Sequence, residues 1–251
     1  MKTVFFTDQG RVRQHNEDSG GAFVNRDGNR LAIVADGMGG HRAGDVASEM
    51  TLSTMKKWWE NTEGIHTADD AENWLKASIE KVNSLLFEHS KSHTECDGMG
   101  TTIVAVIATS RFATVANIGD SRCYILNDTG FQQLTEDHSL VNELVRTGQI
   151  SREDAEHHPR KNVLLRALGT EENVVMDIKT IMFEDGDKLL LCSDGLSNKV
   201  SESEMLSILK NEDSLEEKGT TLIKLANDNG GEDNITLVIV EFDDRNEMGD
   251  E

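Results

Sequence analysis

Residues 102–126, TIVAVIATSRFATVANIGDSRCYIL, decide the fold class of this chain. β-Branched and small apolar residues run in three segments, TIVAVIA, RFATVAN and SRCYIL, parted by short polar turns. The turn NDTG at 127–130 opens one more hairpin to Phe131–Leu134. Connections this short join antiparallel neighbours, because a parallel crossover needs a dozen or more residues. Working outward, strands are expected at Val4–Phe6 and, after a polar hairpin turn, at Leu31–Ala35. Two more follow the meander, at Lys188–Cys192 and Ile235–Val240. The pattern predicts a helix over about Ala43–Glu60 and a second from a Thr67/Asp70 capping box to about Lys91. Leu75, Ile79, Val82 and Leu86 give the second helix one apolar stripe, and Trp58 and Trp74 are expected in the same core layer. Two later helices, about Glu202–Leu209 and Leu215–Asn229, each open with Ser-x-x-Glu, at Ser201 and Ser214. Strands in meanders with helix pairs between them predict a layered α+β architecture, two stacked antiparallel sheets covered by helices.

The 251 residues can bury a substantial core, and no repeat or linker divides them, so one domain is expected. The closing DDRNEMGDE has no apolar anchor and reads as an acidic tail over 242–251. The opening MKTVFFTDQG turns polar too soon for a signal peptide, and no apolar run approaches a membrane span. Cys96, Cys123 and Cys192 form no CxxC pair, which suits reduced thiols in a cytoplasmic protein. A net charge of −21 argues against nucleic acid or an anionic membrane as partner. It also means that an anionic substrate would need a local reversal of the field, which bound divalent cations would supply.

Asp-Gly occurs five times. Asp27-Gly28 and Asp185-Gly186 lie between polar neighbours and read as turns, and Asp97-Gly98 as a loop. Asp36-Gly37 and Asp194-Gly195 instead follow the buried-looking runs LAIVA and KLLLCS. The first is either a hairpin turn or a carboxylate held at a strand end to bind a cation. Asp120 lies between two strands of the meander, and Asp233 immediately precedes the last strand. Four carboxylates at four strand edges would repel one another, and a hard divalent ion with oxygen ligands resolves this. No His or Cys spacing suits zinc, and no Walker loop, GxSxG elbow or HExxH is present. In RVRQHNEDS, residues 11–19, Arg13 precedes Glu17 and Asp18. The stretch is either a solvated charged loop or a fork for a phosphate beside a carboxylate that holds metal-bound water.

With these residues assembled, the chain resembles the bacterial PPM (type-2C) metal-dependent protein Ser/Thr phosphatases. The resemblance rests on six motifs in the family's order: RVRQHNEDS, VADGMGGHRAGDVAS, GMGTT, NIGDSRCY, LLLCSDGLSNKV and GGEDNIT. It implies a single domain over 1–241 with a four-layer αββα sandwich and its metals at one edge. Carried over by position, it implies that Asp36 bridges two Mn²⁺ or Mg²⁺ ions and that the Gly37 carbonyl binds the second. Asp194 and Asp233 complete the first ion's protein ligands, and Glu17 acts through water. Asp120 matches the residue of a weaker third ion, and Arg13 the phosphate-binding arginine. The implied reaction is attack of a metal-bridging water on phosphoserine or phosphothreonine. Met38 stands where eukaryotic relatives carry the histidine assigned as proton donor, leaving His41 as the nearest candidate and a metal-bound water as the alternative. The polar segment 138–169, with a short helical pattern in SLVNELVRTG, matches the family's flap, and its His157, His158, Arg160 and Lys161 suit acidic phosphoprotein surfaces. The implied partners are phosphorylated proteins and an opposing membrane Ser/Thr kinase with PASTA repeats. Nothing in the sequence demands more than a monomer.

Overall fold

The computed structural model describes residues 1–39 and 43–243. Its strands are β1 (Lys2–Asp8), β2 (Asp18–Val24), β3 (Arg30–Met38), β4 (Gly100–Thr101), β5 (Ile103–Ala108) and β6 (Phe112–Ile118), then β7 (Arg122–Asn127), β8 (Gly130–Gln133), β9 (Asp177–Met182), β10 (Lys188–Cys192) and β11 (Ile235–Glu241). The first sheet runs β1-β11-β10-β7-β8 and the second β2-β3-β5-β6-β9, with β4 against the end of β3. Helices α1 (Ala43–Trp59) and α2 (Ala68–Ser92) cover the second sheet. The short helices α3 (Leu140–Arg146) and α4 (Arg152–Glu156) belong to the 138–169 segment. The remaining helices, α5 (Asp194–Ser197), α6 (Glu202–Lys210) and α7 (Leu215–Asp228), cover the first sheet.

Period-two alternation distributes side chains among three apolar layers. On β3, Leu31 and Ile33 face α1 and α2, where Trp59, Leu75, Ile79 and Leu86 meet them. Ala32 and Val34 face the other sheet, against Leu189, Leu191, Val238 and Val240. Leu190, Leu237 and Ile239 turn outward to Met205, Leu209 and Leu222. This is the expected four-layer sandwich. The helix caps follow the sequence reading as well, with reciprocal capping boxes at Thr67/Asp70, Ser201/Glu204 and Ser214/Glu217.

Three expectations are corrected. No hairpin joins β1 to β3: β1 pairs with β11, with Lys2 opposite Glu241, and β2 takes the place beside β3. The β2 sequence DSGGAFV hides its strand, since glycine is a poor strand former. Gly20 is required there by packing, because a Cβ would lie 2.9 Å from the Ile33 carbonyl oxygen. The apparent meander is divided: β5 and β6 lie in one sheet, β7 and β8 in the other, and the chain crosses at 119–121. The edge strand β9 carries too little apolar pattern to be read from sequence, with Met182 exposed. The buried tryptophan is Trp59, whose indole N–H donates to the Phe23 carbonyl at 3.0 Å, with Trp74 edge-on at 4.9 Å. Trp58 and Trp74 are partly buried and pack against this same core layer, as expected.

At the far end of the chain, Phe242 packs on Phe183, and the buried Asp243 pairs with Lys2 at 2.6 Å. Residues 244–251 lie outside the described residues.

Adjacent leucines on α2 test this layering. Leu86 is fully buried and Leu85 is 39% exposed. Leu86→Ala is expected to lower the unfolding free energy by about 2–5 kcal/mol, and Leu85→Ala to change it by less than about 0.5 kcal/mol, both read from urea midpoints.

Candidate metal centre

The strand ends place the aspartates. Asp18 opens β2 and lies opposite Asp36 near the end of β3. Asp194 follows β10 and Asp233 precedes β11, and these strands are antiparallel neighbours. Asp120 sits in the crossing from β6 to β7. All five therefore meet one rim of the sandwich. Asp36-Gly37 is no turn, because β3 continues through both residues to Met38. Gly37 is glycine because of close approach: a Cβ there would lie 2.1 Å from the Gly44 carbonyl oxygen and 2.5 Å from that of Glu17. Gly195 is equally constrained, by the Asn234 carbonyl oxygen at 2.0 Å.

Burial, and after it the charges of Asp18, Asp194, Asp120 and Asp233, holds the Asp36 carboxyl well above its ordinary range. Asp18 is pushed up to about 7 by burial, against hydrogen bonds that favour its charged form; the Ser193 hydroxyl donates to it at 2.7 Å. Burial and then Asp194 push Asp120 to about 7. Burial and then Asp233 raise Asp194. Glu17 is raised by burial against the pull of Arg13.

Arg13 donates from Nη2 to Asp233 at 2.7 Å, across a half-exposed pair. Its loop is tied down by Asn234, whose amide donates to the Gln9 and His15 carbonyls at 2.9 Å each. The Asn234 side-chain oxygen accepts the Glu17 N–H, also at 2.9 Å. Asn234 is 4% exposed. Sequence reasoning passed over it, and over Asp18; the signals were a polar amide at the head of an apolar strand and the Glu-Asp pair itself.

The 138–169 segment is anchored beside Asp120. The His138 N–H donates to the Gly119 carbonyl at 2.9 Å, and the Gly119 N–H donates back to His138 Nδ1 at 3.2 Å. That leaves the Nε2 proton for Asp177, 3.1 Å away. Arg122 adds a forked pair with Asp137, at 2.7 Å through Nη2. Among the described residues, His157, His158, Arg160 and Lys161 make no hydrogen bond or ion pair to the rim aspartates, so the structure does not bring them into the cluster. His41 lies outside the described residues.

A cation fits this donor set. One oxygen each of Asp18, Asp45 and Asp194 is buried without a hydrogen-bond partner among the described residues. Buried carboxylates call for a countercharge. Among the described residues, no three His, Cys, Asp or Glu side chains close around a single point to form one ion's ligand shell. The rim aspartates instead act on one another through their charges, and a hard cation that keeps several water ligands needs only one or two of them at a time.

The family profile described as Protein phosphatase 2C matches residues 8–237. The chain belongs to the protein phosphatase 2C family. The serine/threonine phosphatase stp of Listeria monocytogenes serotype 4b is 53% identical over 243 residues, 97% of this chain and 96% of the relative. Among solved structures, the S. agalactiae serine/threonine phosphatase superposes with a TM-score of 0.92 at 40% identity, covering 96% of this chain and 99% of that one. The catalytic domain of the serine/threonine protein phosphatase PstP, in complex with two manganese ions, matches with a TM-score of 0.85 at 33% identity, covering 97% and 98%.

Two outcomes are expected of this phosphatase without metal. A carboxyl whose folded pKa lies above its unfolded value holds its proton longer in the folded chain. The stability it contributes is present below the unfolded pKa and is lost as pH rises through the folded one. With Asp18 and Asp120 moved from 3.8 to about 7, the urea midpoint in chelator should fall as pH rises from about 4 to about 7. Asp18→Asn should flatten that slope, and an unchanged slope would contradict the reading. Asn234→Ala should free the 9–17 loop, measured as faster tryptic cleavage after Arg11 and Arg13.

Proposed function

We propose that this enzyme, a serine/threonine protein phosphatase, hydrolyses phosphoserine and phosphothreonine esters on proteins with the aid of two divalent cations. The observation that carries the reading is the set of buried, mutually repelling carboxylates at one rim, with oxygens left unpartnered. Asp36, the Gly37 carbonyl, Asp194 and Asp233 would hold the core ions, Glu17 would act through water, and Asp120 would hold a third, weaker ion. Mn²⁺ and Mg²⁺ accept the same oxygen set. When bound, such ions supply Lewis acidity toward phosphoryl oxygens and lower the pKa of the attacking water.

The chain's own residues do the rest. Asp36 projects from a strand whose main chain is fixed on both sides, so its carboxylate does not retreat from the rim. Arg13 lies within reach of the cluster, and its planar fork exchanges Asp233 for two phosphoryl oxygens of the substrate. That grip orients phosphorus for in-line displacement of the serine or threonine oxygen. The departing alkoxide needs a proton, which would come from His41 or from a metal-bound water.

The opposing kinase, of the membrane type with PASTA repeats, belongs to the same proposal, as do phosphoprotein substrates and a monomer working in the cytoplasm. Its support is the family's usual setting. No helix among the described residues is long and apolar enough to cross a membrane. The chain would form one catalytic unit, with a flap over about 138–169.

Phosphate release from a phosphothreonine peptide tests the reading. Release should require Mn²⁺ or Mg²⁺, stop in EDTA, and fall by about 10²-fold or more in Asp36→Asn. A folded wild-type protein that releases no phosphate with either ion would overturn it.

A further inference from the structure

Thr102 lies between β4 and β5, directly opposite Asp36 in a register that runs from Arg30↔Ala108 to Met38↔Gly100. A hydrogen-bonded pair in an antiparallel ladder exchanges two N–H···O=C bonds. Only one of the two is made here, from the Thr102 N–H to the Asp36 carbonyl at 2.9 Å. The returning Asp36 N–H donates to the Thr102 hydroxyl oxygen instead, also at 2.9 Å. The Thr101 hydroxyl, 2.9 Å from the carbonyls of both Asp36 and Thr102, takes up what the ladder leaves open. The Asp36 main chain is thus held by side-chain hydroxyls where the strand reaches the rim.

The far side of Thr102 meets the β6–β7 crossing. Its hydroxyl lies 2.7 Å from Ser121 Oγ, a hydrogen bond that either hydroxyl can donate. A Cβ added to Gly119 would come within 2.6 Å of the Thr102 methyl, so the crossing lies flush against it. Gly119 and Ser121 are the two neighbours of Asp120, and both rest on this one side chain. Thr102 is 2% exposed and Ser121 fully buried, so water does not compete for these bonds.

We infer that Thr102 is a positioning residue: through one hydroxyl and one methyl it sets the separation between the Asp36 strand end and the Asp120 crossing. It touches no reacting atom. The inference rests on the reading above, in which both carboxylates hold cations, and it adds that their ion sites are coupled through this side chain.

The test compares wild type, Thr102→Val, Thr102→Ser and Ser121→Ala by Mn²⁺ titration calorimetry and, in EDTA, by amide hydrogen exchange at Asp36. Thr102→Val keeps the shape and removes the hydroxyl. The Asp36 amide should then exchange at least about tenfold faster, and Mn²⁺ should bind about tenfold more weakly at both the core and the weakest site. Thr102→Ser keeps the hydroxyl and loses the methyl: it should restore the Asp36 exchange rate and the core-site affinity to near the wild-type values, which a merely space-filling role would not predict, and leave the weakest site weakened. Ser121→Ala should leave the Asp36 amide protected and weaken only the weakest ion. Unchanged exchange and affinities in a folded Thr102→Val protein overturn the inference. If that variant does not fold, Ser121→Ala decides, and unaltered weak-site binding overturns it. A wild type that binds neither Mn²⁺ nor Mg²⁺ defeats the reading of the rim as a divalent-cation site, while the exchange measurement still decides whether Thr102 holds Asp36.

Discussion

Mutual repulsion among carboxylates at one rim is the constraint to which the rest of this structure answers. Asp18, Asp36, Asp120, Asp194 and Asp233 act on one another's charge through a partly buried environment, in a chain whose net charge is already −21. Such a set would spread apart if its supports were soft. It is therefore mounted on strand ends, with a fully buried apolar layer on each side of each sheet. Among the described residues, Arg13 forms an ion pair with the set, through Asp233.

The supports are main-chain devices more than side-chain packing. Gly37 and Gly195 let carbonyls approach to distances that no Cβ would permit. Asn234 spends all three of its side-chain hydrogen bonds on the 9–17 loop, so the arginine and Glu17 move with the head of β11. Thr102 does the same for Asp36 and the Asp120 crossing. Each device joins segments far apart in the chain, so the rim depends on the sandwich being complete. A site of this kind trades stability for function: its unpartnered oxygens and raised carboxyl pKa values are costs that the apolar layers offset.

Much of this was legible in the sequence, for physical reasons. The apolar strands β3, β5, β6, β10 and β11 carry buried faces on both sides, and α2 repeats its stripe at helical spacing, so periodicity betrays them. Ser-x-x-Glu and Thr-x-x-Asp announce helix starts because the hydrogen bonds they make are local. Asp36 and Asp194 stood out among five Asp-Gly pairs because a buried strand seldom ends in a charge without purpose. What escaped was what lacks a local signature. β2 is built on glycines whose need lies in another strand, and β9 is a half-exposed edge. The division of the meander between sheets follows from pairing with β9 and β10, which no window of residues 102–126 contains.

By itself, then, the sequence determined the apolar strands, the longer helices, a layered α+β class and the four aspartates at strand edges, since each follows from local periodicity, capping or composition; the four-layer arrangement was what the family resemblance implied. Only the tertiary structure decided that β1 closes against β11, that Asp18 faces Asp36, and that Asn234 and Thr102 hold the rim together. Those contacts join residues from distant parts of the chain. Their free energy comes from a register and a close approach that exist only once both sheets have formed.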